Sequence, residues 1–153
     1  MREILYRGKN KFNNREWVDG FLLRGTFYYD DSEMFAIVPI DNTFYPRGEI
    51  SSWEEVIPET VGQFTGLFDK NGIAIFEGDI VKLDESVKEI FNVKDGPIEY
   101  IGGCFLVGGN DGNILASLHT LSDIDWALRG SVIGNIHDNP ELLEGDNINE
   151  TNI

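Results

Sequence analysis

Between residues 65 and 83 the chain reads TGLFDKNGIAIFEGDIVKL, two apolar β-type stretches joined by Asn71-Gly72 and followed by a Glu-Gly-Asp corner. Asn-Gly tolerates positive φ at both positions, as a type I′ turn requires, so Phe64 to Leu67 and Ile73 to Phe76 are predicted to form a hairpin. Gly78 lets the backbone bend before Asp79, and Ile80, Val81 and Leu83 carry the next strand. The Asp79 carboxylate reads as a group that ties down its own turn through backbone N–H groups, with ligand binding as the alternative. A chain punctuated in this way is confined to short strands and tight turns.

The same texture runs through the rest. Glu3 to Arg7 reads as a first strand, Lys9 to Asn14 as a polar turn, and Arg15 to Val18 and Phe21 to Arg24 as strand around Gly20. Thr26 to Tyr29 and Met34 to Ile40 flank Asp30-Asp31 and read as a hairpin, since two β-rich runs are joined by a short acidic turn. Thr43 to Tyr45 and the region of Val56-Ile57 complete a meander, with Pro46 and Pro58 at exits from sheet pairing. Residues 84–96 change character: Asp84 or Ser86 caps a short helix with Val87, Ile90 and Phe91 on one face, ended before Gly96-Pro97. Ile98 to Ile101, Cys104 to Val107 and Ile114 to Leu118 return to the β pattern, with GGNDGN at 108–113 as a hairpin loop. That loop lacks the Gly-Lys-Ser/Thr ending of a phosphate-binding loop. Leu121, Ile124, Trp126 and Leu128 fit a short amphipathic helix from Ser122 or a packed loop, and Val132 to Ile136 a last strand. Asn139 then suits an N-cap, Pro140 the first helical position, and Leu142-Leu143 packing. The fold class is mainly β, one domain over 1–143, with 144–153 a flexible acidic tail.

Charge narrows the function classes. There are 27 Asp and Glu against 12 Lys and Arg, a net charge of -15. A phosphate backbone is repelled by such a surface, and the most basic stretch holds only Arg2, Arg7, Lys9 and Lys11, so nucleic acid is an improbable partner. The lone Cys104 rules out an intramolecular disulfide and reads, between apolar neighbours, as a small core residue. No stretch has the length of a transmembrane helix and the start MREILYRGKN lacks a signal-peptide core, so the expected location is cytoplasmic. No catalytic, metal or cofactor site is predicted. His119 and His137 stand outside any zinc pattern, and Asp123-x-Asp125 reads as an acidic face. Ser131 is not in a nucleophile elbow, and Glu54-Glu55, after Trp53, read as solvent-facing.

The segments VIPETVGQFTGLFDKNGIAIFEGDIVKL at 56–83 and VIGNIHDNPELL at 132–143, with ILYRGK and EWVDGFLL near the start, resemble the YopX family of phage and prophage proteins of Firmicutes. Phe64 stands where a tyrosine is common, and His137-Asp138 where an aromatic followed by an acid is usual. The resemblance implies a mainly β fold of barrel-like or SH3-like character with one or two short helices, a homo-oligomer, and no catalytic motif to carry over. Gly62, Gly66, Gly72, Gly78 and Gly134, with Asn71, read as turn or close-approach positions. Gln63, Thr65, Asp79 and Asn135 are the candidate ligand or partner contacts, with satisfaction of backbone groups between strands as their structural alternative. The functional expectation is a non-enzymatic accessory protein whose acidic surface binds a host or phage protein. The alternatives are an oligomer binding a nucleotide-like small molecule, and an unrecognised enzyme. For the small molecule, Trp17, Phe27, Tyr28, Tyr29 and Trp126 could stack on a base, while Arg15, Arg24, Arg47 or Arg129 supplies charge, although most of those rings read as core.

Overall fold

Runs of β-branched and aromatic residues between turn formers leave the chain little choice but sheet, and the computed structural model is mainly β. It describes residues 3–27, 29–40, 52–108, 116–122 and 127–143. Outside them fall Arg2, Tyr28, the strand expected at Thr43 to Tyr45 with Pro46 and Arg47, and most of the 108–113 loop. Ile114, the Asp123 and Asp125 pair, Ile124, Trp126 and the 144–153 tail lie outside them as well. The chain divides into two units, Met1–Phe64 and Thr65–Ile153.

In the first unit β1 (Tyr6–Lys9) pairs antiparallel with β2 (Trp17–Thr26), β2 with β3 (Glu33–Pro39), and β3 with the short β4 (Glu54–Glu55). The hairpin of β2 and β3 is the one expected around Asp30-Asp31, although β2 stops at Thr26. Asp30 closes the turn by accepting the Ser32 N–H at 3.0 Å, and Asp31 takes a positive φ of 55°. Among the described residues, Ala36, Ile37 and Val38 on β3, with Leu5 and Val56, form the buried apolar set of this unit. Each of the larger ones, Leu5, Ile37, Val38 and Val56, contributes about 1.5–3 kcal/mol on burial. Gly20 makes the β2–β3 approach feasible, because a Cβ there would lie 1.9 Å from the Val38 carbonyl oxygen. An isolated bridge, Asn10 to Val56, joins the ends of β1 and β4, flanked by Lys11 N–H to Glu55 C=O and Ile57 N–H to Lys9 C=O. The sheet thus curls back on itself in barrel-like fashion without a continuous ladder, and no closed barrel forms among the described residues.

β5 (Gly62–Asp69) begins in the first unit beside β1 and ends in the second, where it pairs with β6 (Ala74–Phe76) and, in parallel, with β11 (Ala127–Leu128). The second unit also holds an antiparallel sheet. Its order is β10 (Ala116–Ser117), β9 (Cys104–Val107), β8 (Gly96–Ile101), β7 (Asp79–Leu83) and β12 (Gly130–Asn135). The helix α1 (Glu85–Phe91) places Val87 in a core with Ile75, Val81, Leu83, Ile98, Val107, Leu121 and Leu128.

Several local expectations are corrected. The 69–73 turn is not type I′: Gly72 has φ 81° but Asn71 stays at negative φ. Gly72 N–H donates to Asp69 C=O at 2.9 Å and Asp69 N–H to Ile73 C=O at 2.8 Å, a three-residue loop closed by a left-handed glycine. The Asp69 side chain selects this form, accepting Asn71 N–H at 2.8 Å and Ile73 N–H at 2.9 Å on Oδ1. The two-residue turn with two positive φ values lies instead at Gly102 and Gly103, 62° and 89°, between β8 and β9. That geometry puts Cys104 opposite Ile101 at the hairpin tip, so the thiol is exposed rather than core. On α1, Ile90 is 68% exposed while Val87 is buried, because the helix presents a narrower stripe to the core than the sequence spacing suggested. Asp84 occupies the N-cap position without a side-chain cap bond, its carboxylate held instead by Lys70 Nζ at 2.6 Å. Leu121 is buried in a turn and Leu128 in β11, so the described part of 121–128 is packed loop and strand rather than helix. Asn139 precedes only a 3-10 turn, Pro140–Leu143, which leaves Leu142 and Leu143 exposed. Tyr29, one of five rings of which most were expected in the core, is exposed as well.

Asp69 carries more than its turn. Its Oδ2 accepts the Val132 N–H at 2.9 Å, so one buried carboxylate fastens the β5–β6 turn to the edge of β12. Desolvation pushes its pKa up, but the N–H groups of Val132, Ile73 and Asn71 outweigh it and hold the carboxyl below its ordinary 3.8. A folded value below the unfolded one means that the ionised side chain stabilises the fold fully above the unfolded pKa, and that this stability is lost as pH falls through the folded value. Asp69→Asn turns a donor amide toward one of the three N–H groups, and is expected to cost about 2–3 kcal/mol. Urea unfolding at pH 7 measures that cost, and repeating it from pH 5 to pH 2 should show a shallower acid limb in the variant.

Candidate functional site

In KNKFNNRE, residues 9–16, a polar stretch surrounds a single aromatic residue, and asparagine is suited to bond its own following backbone. Asn10 does so: its Oδ1 accepts Phe12 N–H at 2.8 Å and Asn13 N–H at 2.7 Å, while Asn10 N–H donates to Glu16 C=O at 2.8 Å. Asn14 and Arg15 complete the loop at positive φ, 51° and 56°. The Asn10 Nδ2 group donates to Glu54 Oε2 on β4. The loop and β4 are thereby locked together, and Phe12 is held out in solvent at 76% exposure beside Trp53 at 46%.

Two clefts open on either side of this junction and share Asn13 and Glu54. One, of about 500 Å³, is lined by Glu16, Trp17, Asp19, Pro39, Ile40 and Glu54, and the other, of about 460 Å³, by Asn10, Phe12, Asn13, Trp53, Glu54 and Glu55. Together they gather four carboxylates against aromatic walls. Desolvation raises the Asp19 pKa above its ordinary value, with the Arg7 guanidinium pulling the other way. The walls already meet the chain's own cations: the Arg7 guanidinium lies 4.6 Å and the Lys9 ammonium 5.4 Å from the Trp17 ring centre. Lys11 Nζ lies 5.5 Å from the Phe12 ring centre and 2.5 Å from Glu55 Oε1. Carboxylates against ring faces form a surface suited to positively charged groups.

The residues singled out by sequence fall elsewhere. Thr65 and Asp79 converge on one peptide group: Thr65 Oγ1 donates to Ile75 C=O at 2.8 Å, and Phe76 N–H donates to Asp79 Oδ2 at 2.8 Å. Both are buried and both serve β6, too short to satisfy that peptide by ladder alone. Asn135 faces Asp79 in the β7–β12 register, and its Oδ1 accepts His137 N–H at 3.0 Å and Asp138 N–H at 2.9 Å, closing the loop after β12. Gly134 belongs to that closure, since a Cβ there would lie 2.5 Å from Asn139 Oδ1. Gln63 stands in β5 opposite Tyr6, half-buried, and Gly62 opposite Arg7. Gly66 lies in β5 and Gly78 in the corner before β7, at φ 85° and 86°. Sequence reasoning missed Asn10, Phe12, Asn13, Glu16 and Asp19 as a group. The available signal was a phenylalanine isolated in a polar turn, which has no core to enter. Glu54 and Glu55, read as solvent-facing, are half-buried and bonded to Asn10 and Lys11.

Among the described residues no three His, Cys, Asp or Glu side chains are placed to hold a metal ion, and no helix is long and apolar enough to cross a membrane. The family model described as YopX protein matches residues 5–144. Among solved structures, the chain is similar to protein EF1440 from Enterococcus faecalis, at 27% identity and a TM-score of 0.52, over 94% of this chain and 99% of that one. No curated protein matches.

Thr65→Val leaves the Ile75 carbonyl without its side-chain donor and is expected to lower stability by about 1–2 kcal/mol. In a thermal scan this appears as a midpoint lowered by several degrees.

Proposed function

We propose that this chain, which belongs to the YopX family, is a non-enzymatic accessory protein that binds a basic surface of a partner protein. The observation that carries this reading is the pair of adjoining clefts in the first unit, where Glu16, Asp19, Glu54 and Glu55 stand against aromatic walls. A net charge of -15 adds a long-range field of the same sign, which accelerates encounter with a basic partner. The same carboxylates oppose a phosphate-bearing ligand at this place. Of the arginines first considered for such a ligand, Arg24 is paired with Glu33 at 2.7 Å, and Arg129, in the second unit, donates to Ser86. Family resemblance supplies a phage or prophage origin and self-assembly; a host or phage protein as partner and cytoplasmic residence complete the proposal.

Native mass spectrometry of the tagged protein from phage-infected cells tests it. The expected result is a stoichiometric protein partner whose retention falls as salt rises from about 0.1 to 1 M, because screening removes the steering charge. The complex should also be lost in Glu16→Lys/Asp19→Lys/Glu54→Lys. An added mass of a few hundred daltons per subunit with no protein partner would overturn the reading in favour of a small-molecule binder.

A further inference from the structure

We infer that the cleft lined by Phe12, Trp53, Glu54 and Glu55 receives an arginine side chain of the partner, and that Lys11 occupies this place in the free protein. The inference rests on the basic-partner reading above and names the group recognised. The two members of the Lys11–Glu55 pair are unequally held: the Lys11 side chain is 50% exposed, whereas that of Glu55 is 11% exposed. The carboxylate is therefore the fixed part and the lysine the removable one, already half in water. Glu54 is fixed as well, since it accepts from Asn10, whose own Oδ1 is tied to two backbone N–H groups. Fixed acceptors lose little freedom on binding.

The rings complete the argument. Phe12 and Trp53 remain exposed although both are large and apolar, and they stand beside two carboxylates of a strongly acidic chain. A guanidinium matches this combination better than an ammonium, being planar enough to stack on a ring and forked enough to bond two carboxylate oxygens at once. An incoming arginine takes the Glu55 carboxylate and the Phe12 face, and the Lys11 ammonium moves into the water it already touches. Lys11 thereby sets the affinity: in the free protein it offsets one of the cleft's two carboxylate charges and competes with every arginine that enters.

The test uses fluorescein-labelled octaarginine and octalysine with the full chain, read by fluorescence anisotropy at about 0.05 M salt. Octaarginine should bind more tightly than octalysine. Phe12→Ala/Trp53→Ala, which keeps the net charge and removes only exposed rings, should weaken octaarginine about tenfold. Lys11→Met should tighten binding several-fold beyond Lys82→Met, an exposed lysine in the second unit whose loss changes the charge equally. Circular dichroism checks that each variant is folded. Octaarginine binding that ignores the ring variant, or a Lys11→Met effect equal to that of Lys82→Met, overturns this inference and leaves the acidic-surface reading standing. No octaarginine binding at all overturns both. If the ring variant instead turns an oligomer into monomers, the occupant is a second copy of this chain and the partner assignment falls.

Discussion

The Asp69 carboxylate accepts three backbone N–H groups, two from its own turn and one from Val132, 63 residues further along the chain, and much of the second unit is organised around it. Without it, the β5–β6 loop would lack the acceptor that selects a three-residue turn, and β12 would present the Val132 N–H at its outer edge. The adjoining Lys70 N–H donates to Gly130 C=O at 3.1 Å, so the turn closes part of the outer edge of β12 as a neighbouring strand would. An edge strand sealed in this way is protected against pairing with another chain. Burying an ion is costly, and the cost is offset here because both oxygens are saturated by N–H donors that would otherwise need partners of their own.

The first unit depends on Asn10 in the same manner but at smaller cost, because the group is neutral. One amide organises the 10–16 loop through its oxygen and reaches β4 through its nitrogen. The result is a rigid frame that presents Phe12 and Trp53 instead of burying them. Rigid presentation of apolar rings beside fixed carboxylates has no evident role in stability, and this contrast separates the cleft from the other polar networks of the chain. Thr65 and Asp79 have bonding groups turned inward onto backbone, and Asn135 closes its own loop, Oδ1 on backbone N–H groups and Nδ2 on Asp138. The polar groups of the cleft are held by backbone and by each other so that their neighbours face outward.

What the local sequence dictates, and what it leaves open, follows the range of the forces involved. Strand runs, the hairpins around Asp30-Asp31 and Asn71-Gly72, the corner at Gly78 and the short helix after Asp84 were legible because each is set by propensity within about ten residues. The turn type at Asn71 was not, because the deciding acceptor is a side chain at Asp69 that also answers to Val132. Cys104 and Ile90 were misplaced for a related reason. Apolar neighbours indicate what a residue could join, while the hairpin tip and the helix stripe determine what it does join. The cleft was invisible as a unit, since its walls come from residues 10–19, 39–40 and 53–55, and no local pattern links them.

Sequence by itself determined the β class, the acidic character and the membership in a family, because period, composition and long motifs are properties of the chain as written. Tertiary structure alone decided which polar residues are spent on the backbone and which remain on the surface. Burial and hydrogen-bond satisfaction are settled between segments far apart in sequence, and a carboxylate in Asp69 or Glu54 acquires its role only when the distant N–H or amide arrives beside it.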